Sequence, residues 1–321
     1  MEKQRNATID FLRIVAAILV ILIHTVTQKK ASPALYFVAV TVGRYAVPFF
    51  MIITGYFYFL NPNNTRLKKT ITNVLWLWVI WNVIYLPAGI YHLITIKGIK
   101  EKILRIIWSF IGQSLCFGAA WYLVALAFGL LIVDFFRRKN KMWLCDVVAL
   151  IVLFIDCAST NYQHIFPKLG LISKEYWGIS IVTGILWVTV AYYIAKYRNL
   201  APKIGNWVSF IIAIGLTVLE RLFVQHSNPS RTDLYFTLPI SMFLIFMFIL
   251  NLSYFKDANK VIVMRNMATL MFFVQFMVID ILKLKTGAVK FLIVLIVDVI
   301  LSFIVLKMSQ SKYGGFLKKI Y

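Results

Sequence analysis

Apolar residues in this chain come in long unbroken runs rather than in the alternation of a half-buried strand or the narrow stripe of a surface helix. Ten such runs are predicted, at about residues 9–27, 37–60, 71–91, 119–136, 143–158, 177–195, 206–224, 234–252, 266–282 and 288–307. Most are long enough to cross roughly 30 Å of hydrocarbon at 1.5 Å per helical residue. Lipid offers the backbone no hydrogen bonds, so a spanning segment is a helix or part of a closed barrel, and continuous runs without a dyad repeat favour helices. The predicted fold is an all-α polytopic transmembrane bundle of about ten spans, in a single domain over residues 1–321, with a short apolar stretch at 103–116 that lies in the interface, re-enters or spans.

Composition supports the membrane. Of 321 residues, 61% are hydrophobic and 14% charged, with a mean hydropathy of +0.82; soluble domains have about 25% charge. The net charge of +22 is unaccompanied by any nucleic-acid-binding motif, so it belongs to short loops beside the spans and to anionic headgroups. With the N-terminus inside, the cytoplasmic segments hold nineteen Lys and Arg and the other side thirteen, with Arg13 and Arg44 inside spans. The positive-inside bias therefore places both termini in the cytoplasm. Trp76, Trp78, Trp121, Tyr122, Trp177, Tyr192 and Tyr193 lie near span ends, as interfacial belts do. Cys116, Cys145 and Cys157 fit neither a disulfide framework nor a paired metal site, and no metal is expected. The first run contains Arg13 and His24 without a small-residue cleavage site after it, so a retained first span rather than a signal peptide is expected.

Ionisable groups at membrane depth are costly, by at least about 2.5–3.5 kcal/mol at the centre, and are functional candidates by default. The first span, DFLRIVAAILVILIH at residues 10–24, carries Asp10, Arg13 and His24. Eleven residues separate Arg13 from His24, which on a helix is about 20° from three full turns and about 16 Å along the axis. Both side chains share a face, Arg13 near the cytoplasmic boundary and His24 near the outer one. Asp10, one turn before Arg13, can pair with it. A transmembrane transfer pathway uses such a stripe, and a helix contact with interfacial snorkellers uses it too; the spacing leaves both open. The second span, GRYAVPFFMIITGYF at 43–57, puts Arg44 near the outer end, with Pro48 and Gly55 available for backbone irregularity and close helix approach. Glu220 closes the seventh span within LERLF, and the next loop supplies Arg231 and Asp233. Pairing of Glu220 with Arg221 or Arg231 as a structural bridge is the reading its sequence neighbours favour.

Three blocks resemble the bacterial acyltransferase type 3 family of integral membrane proteins, which mostly O-acetylate cell-surface sugars. Residues 10–24 are similar to its R-x10-H pattern, VPFFMIITGY at 47–56 to its V-P-x-F-F-x-x-S-G-F/Y block with Thr54 for Ser, and WYLVA at 121–125 to its W-F/Y-L-x-A block. Within the family the chain resembles the membrane half of the serine racemases of glycopeptide resistance, in which a Glu precedes an R-x-D-x-x-Y loop; here Glu220 precedes Arg231, Asp233 and Tyr235. That half is linked to L-serine supply. With the sequence ending at Tyr321, no racemase chemistry is expected. One departure is Gln275, in FFVQ at 272–275, where many members carry a His.

The resemblance implies an O-acyltransferase of the bacterial cell membrane that takes an acetyl group from cytoplasmic acetyl-CoA, or another acyl-CoA, to a hydroxyl of a cell-envelope glycan or other small acceptor. Arg13, Arg66, Lys68 and Lys69 would meet the donor's phosphates. His24 would act as general base or acyl relay, Arg44 would stabilise charge at the reacting carbonyl, and Glu220 would orient His24 or bind the acceptor. Two other readings stay open: a permease for a small molecule such as L-serine, using Arg13, His24 and Glu220 as a proton-coupled path, and a non-catalytic component that exports or presents surface polysaccharide. No inverted repeat or matched pair of broken helices supports the permease.

Overall fold

The structure, a computed structural model, describes residues 7–110, 120–168, 179–224, 234–252, 258–311 and 314–321. Within these residues all regular structure is helical. The principal helices are α1 (Ala7–Thr25), α2 (Pro33–Val40), α3 (Ala46–Phe59), α4 (Asn64–Ile84), α5 (Leu86–Thr95), α6 (Ile99–Phe110), α7 (Trp121–Arg138), α8 (Met142–Ser159), α9 (Ile179–Lys196), α10 (Trp207–Val224), α11 (Leu238–Asn251), α12 (Ala258–Leu282) and α13 (Ala288–Ser309).

Each of the ten apolar runs falls on one of these helices or on a pair of them. Among the described residues, six segments are long and apolar enough to cross a bilayer: Thr8–Thr25, Pro33–Phe59, Met142–Ser159, Trp207–Val224, Ile262–Leu282 and Ala288–Ser309. A seventh is the pair α4 and α5, bent by 62°. The bend sits at Tyr85 and Leu86, just ahead of Pro87, which has no N–H for the helical ladder. The three remaining runs lie on α7, whose last turns carry Asp134, Arg137 and Arg138, and on two shorter apolar helices, Ile181–Lys196 and Leu238–Asn251. This is a multi-pass membrane protein.

The second span is two helices rather than one. Between α2 and α3 the chain makes a 3-10 turn, Val42–Tyr45, and Thr41 Oγ1 donates back to the Phe37 carbonyl at 2.6 Å, a side-chain bond that competes with the helical ladder. The irregularity thus falls before Pro48, which sits in the first turn of α3, where proline is tolerated. Helix α6 covers the first part of the 103–116 stretch; its twelve residues are too few to span, and Ile99, Ile103, Ile106 and Ile107 are exposed along it. Residues 111–116, with Cys116, lie outside the described residues, as do 177–178 at the start of the 177–195 run, Arg231 and Asp233.

Two compact units emerge from the contacts. The first comprises Met1–Phe50, Arg198–Val218 and Ile240–Tyr321; the second comprises Met51–Tyr197 and Leu219–Pro239. In the first, α1 packs on α12 and α13. The carbonyl of Thr25 accepts from the Gly287 N–H at 3.1 Å and from Thr286 Oγ1 at 2.9 Å, which pins the end of α1 to the turn joining α12 and α13. Gly287 holds φ 138, a conformation that favours glycine.

In the second unit α9 packs on α7 and α8, and α4 on α7. The crossing of α7 and α9 needs glycine: a Cβ on Gly184 would stand 1.9 Å from the Ala125 carbonyl oxygen, and one on Gly129 would stand 2.4 Å from that of Gly184. Small residues that let backbones meet are the usual basis of helix association in lipid. Ala125 closes the WYLVA block, so that block's alanine has a packing role. Gly55 acts likewise, since a Cβ there would lie 2.7 Å from that of Ala191.

Candidate functional site

The first unit contains Asp10, Arg13, His24 and Arg44. Arg13 Nε stands 3.3 Å from Asp10 Oδ1 with both side chains largely buried, the one-turn ion pair expected from the sequence, without hydrogen-bond geometry at that nitrogen. At the other end of α1, His24 is exposed and its ring lies against Phe276 of α12, centroids 4.6 Å apart. The two ends of α1 are therefore built differently, one around a salt bridge and one around an accessible imidazole.

Arg44 lies in the 3-10 turn between α2 and α3. That turn touches α1 through Gly43, where a Cβ would come 2.8 Å from Ile23 Cγ1. Ile23 and Gly43 are chain neighbours of His24 and Arg44, so the close approach brings Arg44's turn against the last turn of α1. Tyr45 locks the turn from the other side: its hydroxyl lies 2.5 Å from Thr217 Oγ1. Thr217 Oγ1 in turn donates to Ser241 Oγ at 3.2 Å, and Ser241 Oγ donates to the Ala213 carbonyl at 2.8 Å. The cluster is buried. Tyr45, Thr217 and Ser241 have no charge or motif to draw attention in sequence; only their shared burial identifies them.

Glu220, Arg66, Lys68 and Lys69 belong to the second unit. Glu220 is buried at 8% exposure and accepts four hydrogen bonds: from the Tyr162 hydroxyl and the Phe236 N–H at Oε1, both at 2.8 Å, and from the Thr237 N–H and hydroxyl at Oε2, at 2.8 and 2.7 Å. These fill both oxygens, and Arg221 is not among the partners. Arg221 is itself buried, and its Nε and Nη1 have no partner among the described residues. The pairing with Arg221 expected from the sequence is replaced by backbone and hydroxyl donors. Burial first, and then the bond to Glu220, push the Tyr162 phenol well above its usual range, so it remains a donor. Tyr162 was not legible as a partner, being 58 residues away in the chain.

Arg66 is half-buried and Lys68 and Lys69 are exposed in the first turns of α4, a helix capped by Asn63, whose side chain accepts from the Arg66 N–H at 2.8 Å. The end of α7 is brought to the same edge by Arg138, which donates through Nη1 to Asn64 Oδ1. Asp134, 1% exposed, holds both arginines: Arg137 Nε and Nη2 donate to Oδ1 at 3.0 and 2.8 Å, and Arg138 Nε donates to Oδ2 at 2.5 Å. A basic edge of Arg66, Lys68, Lys69, Arg137 and Arg138 results, organised by one buried carboxylate. In sequence Arg137 and Arg138 register only as loop charge.

An amino-acid racemase of Enterococcus faecalis is 26% identical over 96% of this chain and 47% of its own length. A serine/alanine racemase of Enterococcus gallinarum is 24% identical over 77% of this chain and 37% of its own length. The chain thus spans less than half the length of these curated relatives. No solved structure matches it. Residues 6–307 match the acyltransferase domain of type 3, a match that takes in α1 with Arg13 and His24, the Arg44 turn and Glu220; the chain belongs to the type 3 acyltransferase family.

Proposed function

We propose that this protein is a membrane-embedded O-acyltransferase that moves an acetyl group from cytoplasmic acetyl-CoA to a hydroxyl of a cell-envelope acceptor such as a glycan. The observation that carries the reading is the build of α1: a buried Asp10–Arg13 pair at one end and, eleven residues on, an exposed His24 beside the Arg44 turn at the other. Membership of the acyltransferase family supports the reaction class. The proposal carries with it ten spans in one domain in the bacterial cytoplasmic membrane, with both termini cytoplasmic, as the distribution of Lys and Arg favours.

In this reading the donor supplies an acyl group already activated as a thioester. Its phosphates meet Arg13 and, on α4, Arg66, Lys68 and Lys69, since charged guanidinium and ammonium groups bind phosphate strongly. His24 removes the proton of the acceptor hydroxyl as that oxygen bonds to the acyl carbon. The carbon–sulfur bond breaks, and coenzyme A leaves as the thiol once its sulfur takes up a proton. Arg44 stabilises negative charge on the acyl oxygen during transfer. Glu220, with both oxygens occupied, serves as a positioning residue that holds Tyr162 and residues 236–237 where the acceptor binds.

A second reading is transport of a small amino acid such as serine without acyl transfer; the names of the two relatives, amino-acid racemase and serine/alanine racemase, refer to amino acids and not to acyl groups. Equilibrium binding separates the two. Detergent-solubilised protein is expected to bind acetyl-CoA, with binding weakened by Arg13→Ala; no binding at millimolar ligand, together with serine uptake into liposomes without coenzyme A, would establish the permease instead.

A further inference from the structure

Among the described residues of the first unit, three buried oxygen-bearing groups with an unpartnered acceptor fall on one pair of helices. Helix α13 buries a single stripe, Val294, Asp298, Ser302, Leu306 and Ser309, at the spacing that places them on one face. Helices α1 and α12 pack on α13, while Leu292, Ile296, Ile300 and Ile304 are exposed on the rest of it. Asp298 and Ser302 sit in the middle of the stripe, both fully enclosed and one turn apart, where i and i+4 side chains meet. Neither carboxylate oxygen of Asp298 nor the Ser302 hydroxyl has a hydrogen-bond partner.

The third group comes from α12. It and α13 are consecutive packed helices joined by residues 283–287, so Phe272 and Asp298, equally far from Lys285, stand at about the same height. Gln275, one turn away on α12, is fully buried; its Nε2 donates to the Phe272 carbonyl at 2.9 Å, and its Oε1 has no partner. This is the position at which the sequence departs from the family's His.

Each unpartnered atom in this set can accept a hydrogen bond, and the Ser302 hydroxyl, which can also donate, is bonded to neither oxygen of Asp298. What Asp298 lacks among the described residues is a bonded donor. Among the described side chains, the ionisable groups on the packed elements are Asp10, Arg13 and His24 of α1, and Arg265 and Asp280 of α12. Helix α13 itself carries Lys290 and Lys307, and the 3-10 turn at 314–319 packed against it carries Lys318 and Lys319. None is bonded to Asp298. An enclosed carboxylate without a donor or counter-charge is among the costliest arrangements in a membrane interior, and one added proton removes the charge and creates the missing donor together.

We propose that Asp298, Ser302 and Gln275 form an intramembrane proton-binding site, in which Asp298 is held as the neutral carboxylic acid and donates its O–H to Ser302, with Gln275 completing the polar wall. The step is the addition of one proton to one carboxylate oxygen; no other bond changes. The site uses none of Arg13, His24, Arg44 and Glu220 and stands whichever reading of the reaction holds.

Infrared difference spectroscopy of the purified full chain in nanodiscs tests it. A protonated-carboxyl C=O stretch is expected at neutral pH, lost in Asp298→Asn, moved to higher frequency in Ser302→Ala, and unchanged in Asp280→Asn, which alters an exposed carboxyl. A wild-type spectrum without the band, or a band that survives Asp298→Asn, overturns the site. Melting is the second readout: the wild-type melting temperature is expected to fall between pH 7 and pH 10, with Asp298→Asn flat over that range. Equal pH responses of the two proteins, or full restoration of the wild type at pH 10 by Na+, would overturn the assignment to a proton.

Discussion

Two carboxylates lie deep in this protein and are treated in opposite ways. Glu220, at the end of α10, meets four donors, two of them backbone N–H groups of residues 236–237. Asp298, midway along α13, meets none among the described residues. Both are buried and both lie on helices made mostly of apolar residues, so hydropathy does not separate them. A carboxylate saturated by fixed donors keeps its charge and acts as an architectural clamp; one enclosed without donors must shed its charge, which makes it a place where a proton is held. Asp134 sides with Glu220, its two oxygens divided between Arg137 and Arg138.

Removing each acid shows how far the comparison goes. Glu220→Ala leaves four donors without an acceptor, and a loss on the order of 3 kcal/mol or more is expected, since bonds to a charged group contribute about 1.5–3 kcal/mol each. It reads out as a large drop in melting temperature of the purified protein; an unchanged melt would break the comparison at its stronger side. Glu220→Gln keeps the shape but turns one oxygen into an amide nitrogen facing donors, and should cost roughly 1–3 kcal/mol.

Tyr162→Phe removes one of the four bonds and should cost about 1 kcal/mol near neutral pH. It also sharpens the assignment through pH. The folded Tyr162 phenol titrates above its unfolded value, so its contribution is complete below about pH 10, the ordinary tyrosine value, and is lost as pH rises through the folded value. The wild type should therefore lose more stability than Tyr162→Phe between pH 9 and pH 11, measured by melting at each pH. Asp298→Asn is expected to cost no stability at neutral pH and to melt at or above the wild-type temperature, because the acid must take up a proton on folding and the amide need not. The same acid-to-amide change is thus costly at residue 220 and without cost at residue 298, and equal costs would erase the distinction.

Much of the fold was legible from hydropathy alone, because lipid forces continuous apolar helices and every such run marks one. The same rule is blind to breaks. The kink at Tyr85 has a sequence cause in Pro87, but the turn at 42–45 depends on Thr41 bonding back to Phe37 and on Gly43 meeting Ile23, contacts that involve residues beyond the local pattern. Within the site, Arg13 with Asp10 was readable because one helical turn separates them. The donors to Glu220 were not, since Tyr162 and Thr237 reach it from other parts of the chain while its sequence neighbour Arg221 does not. Asp298, a single acid in a mostly apolar helix of 22 residues, gives no periodic signal; its burial and lack of donors are properties of packing. Gln275 stands out in the sequence as a departure from a family pattern, and its burial on α12, which packs on α13, gives that departure a physical setting.

The proposed role of His24 is to activate an external hydroxyl. Membranes containing the wild type or His24→Ala at equal abundance, given radiolabelled acetyl-CoA on the cytoplasmic side, should differ in label transferred to envelope acceptors by at least about 10²-fold, the usual contribution of a general base. Equal transfer by the two proteins, with the melting temperature unchanged, would contradict the account.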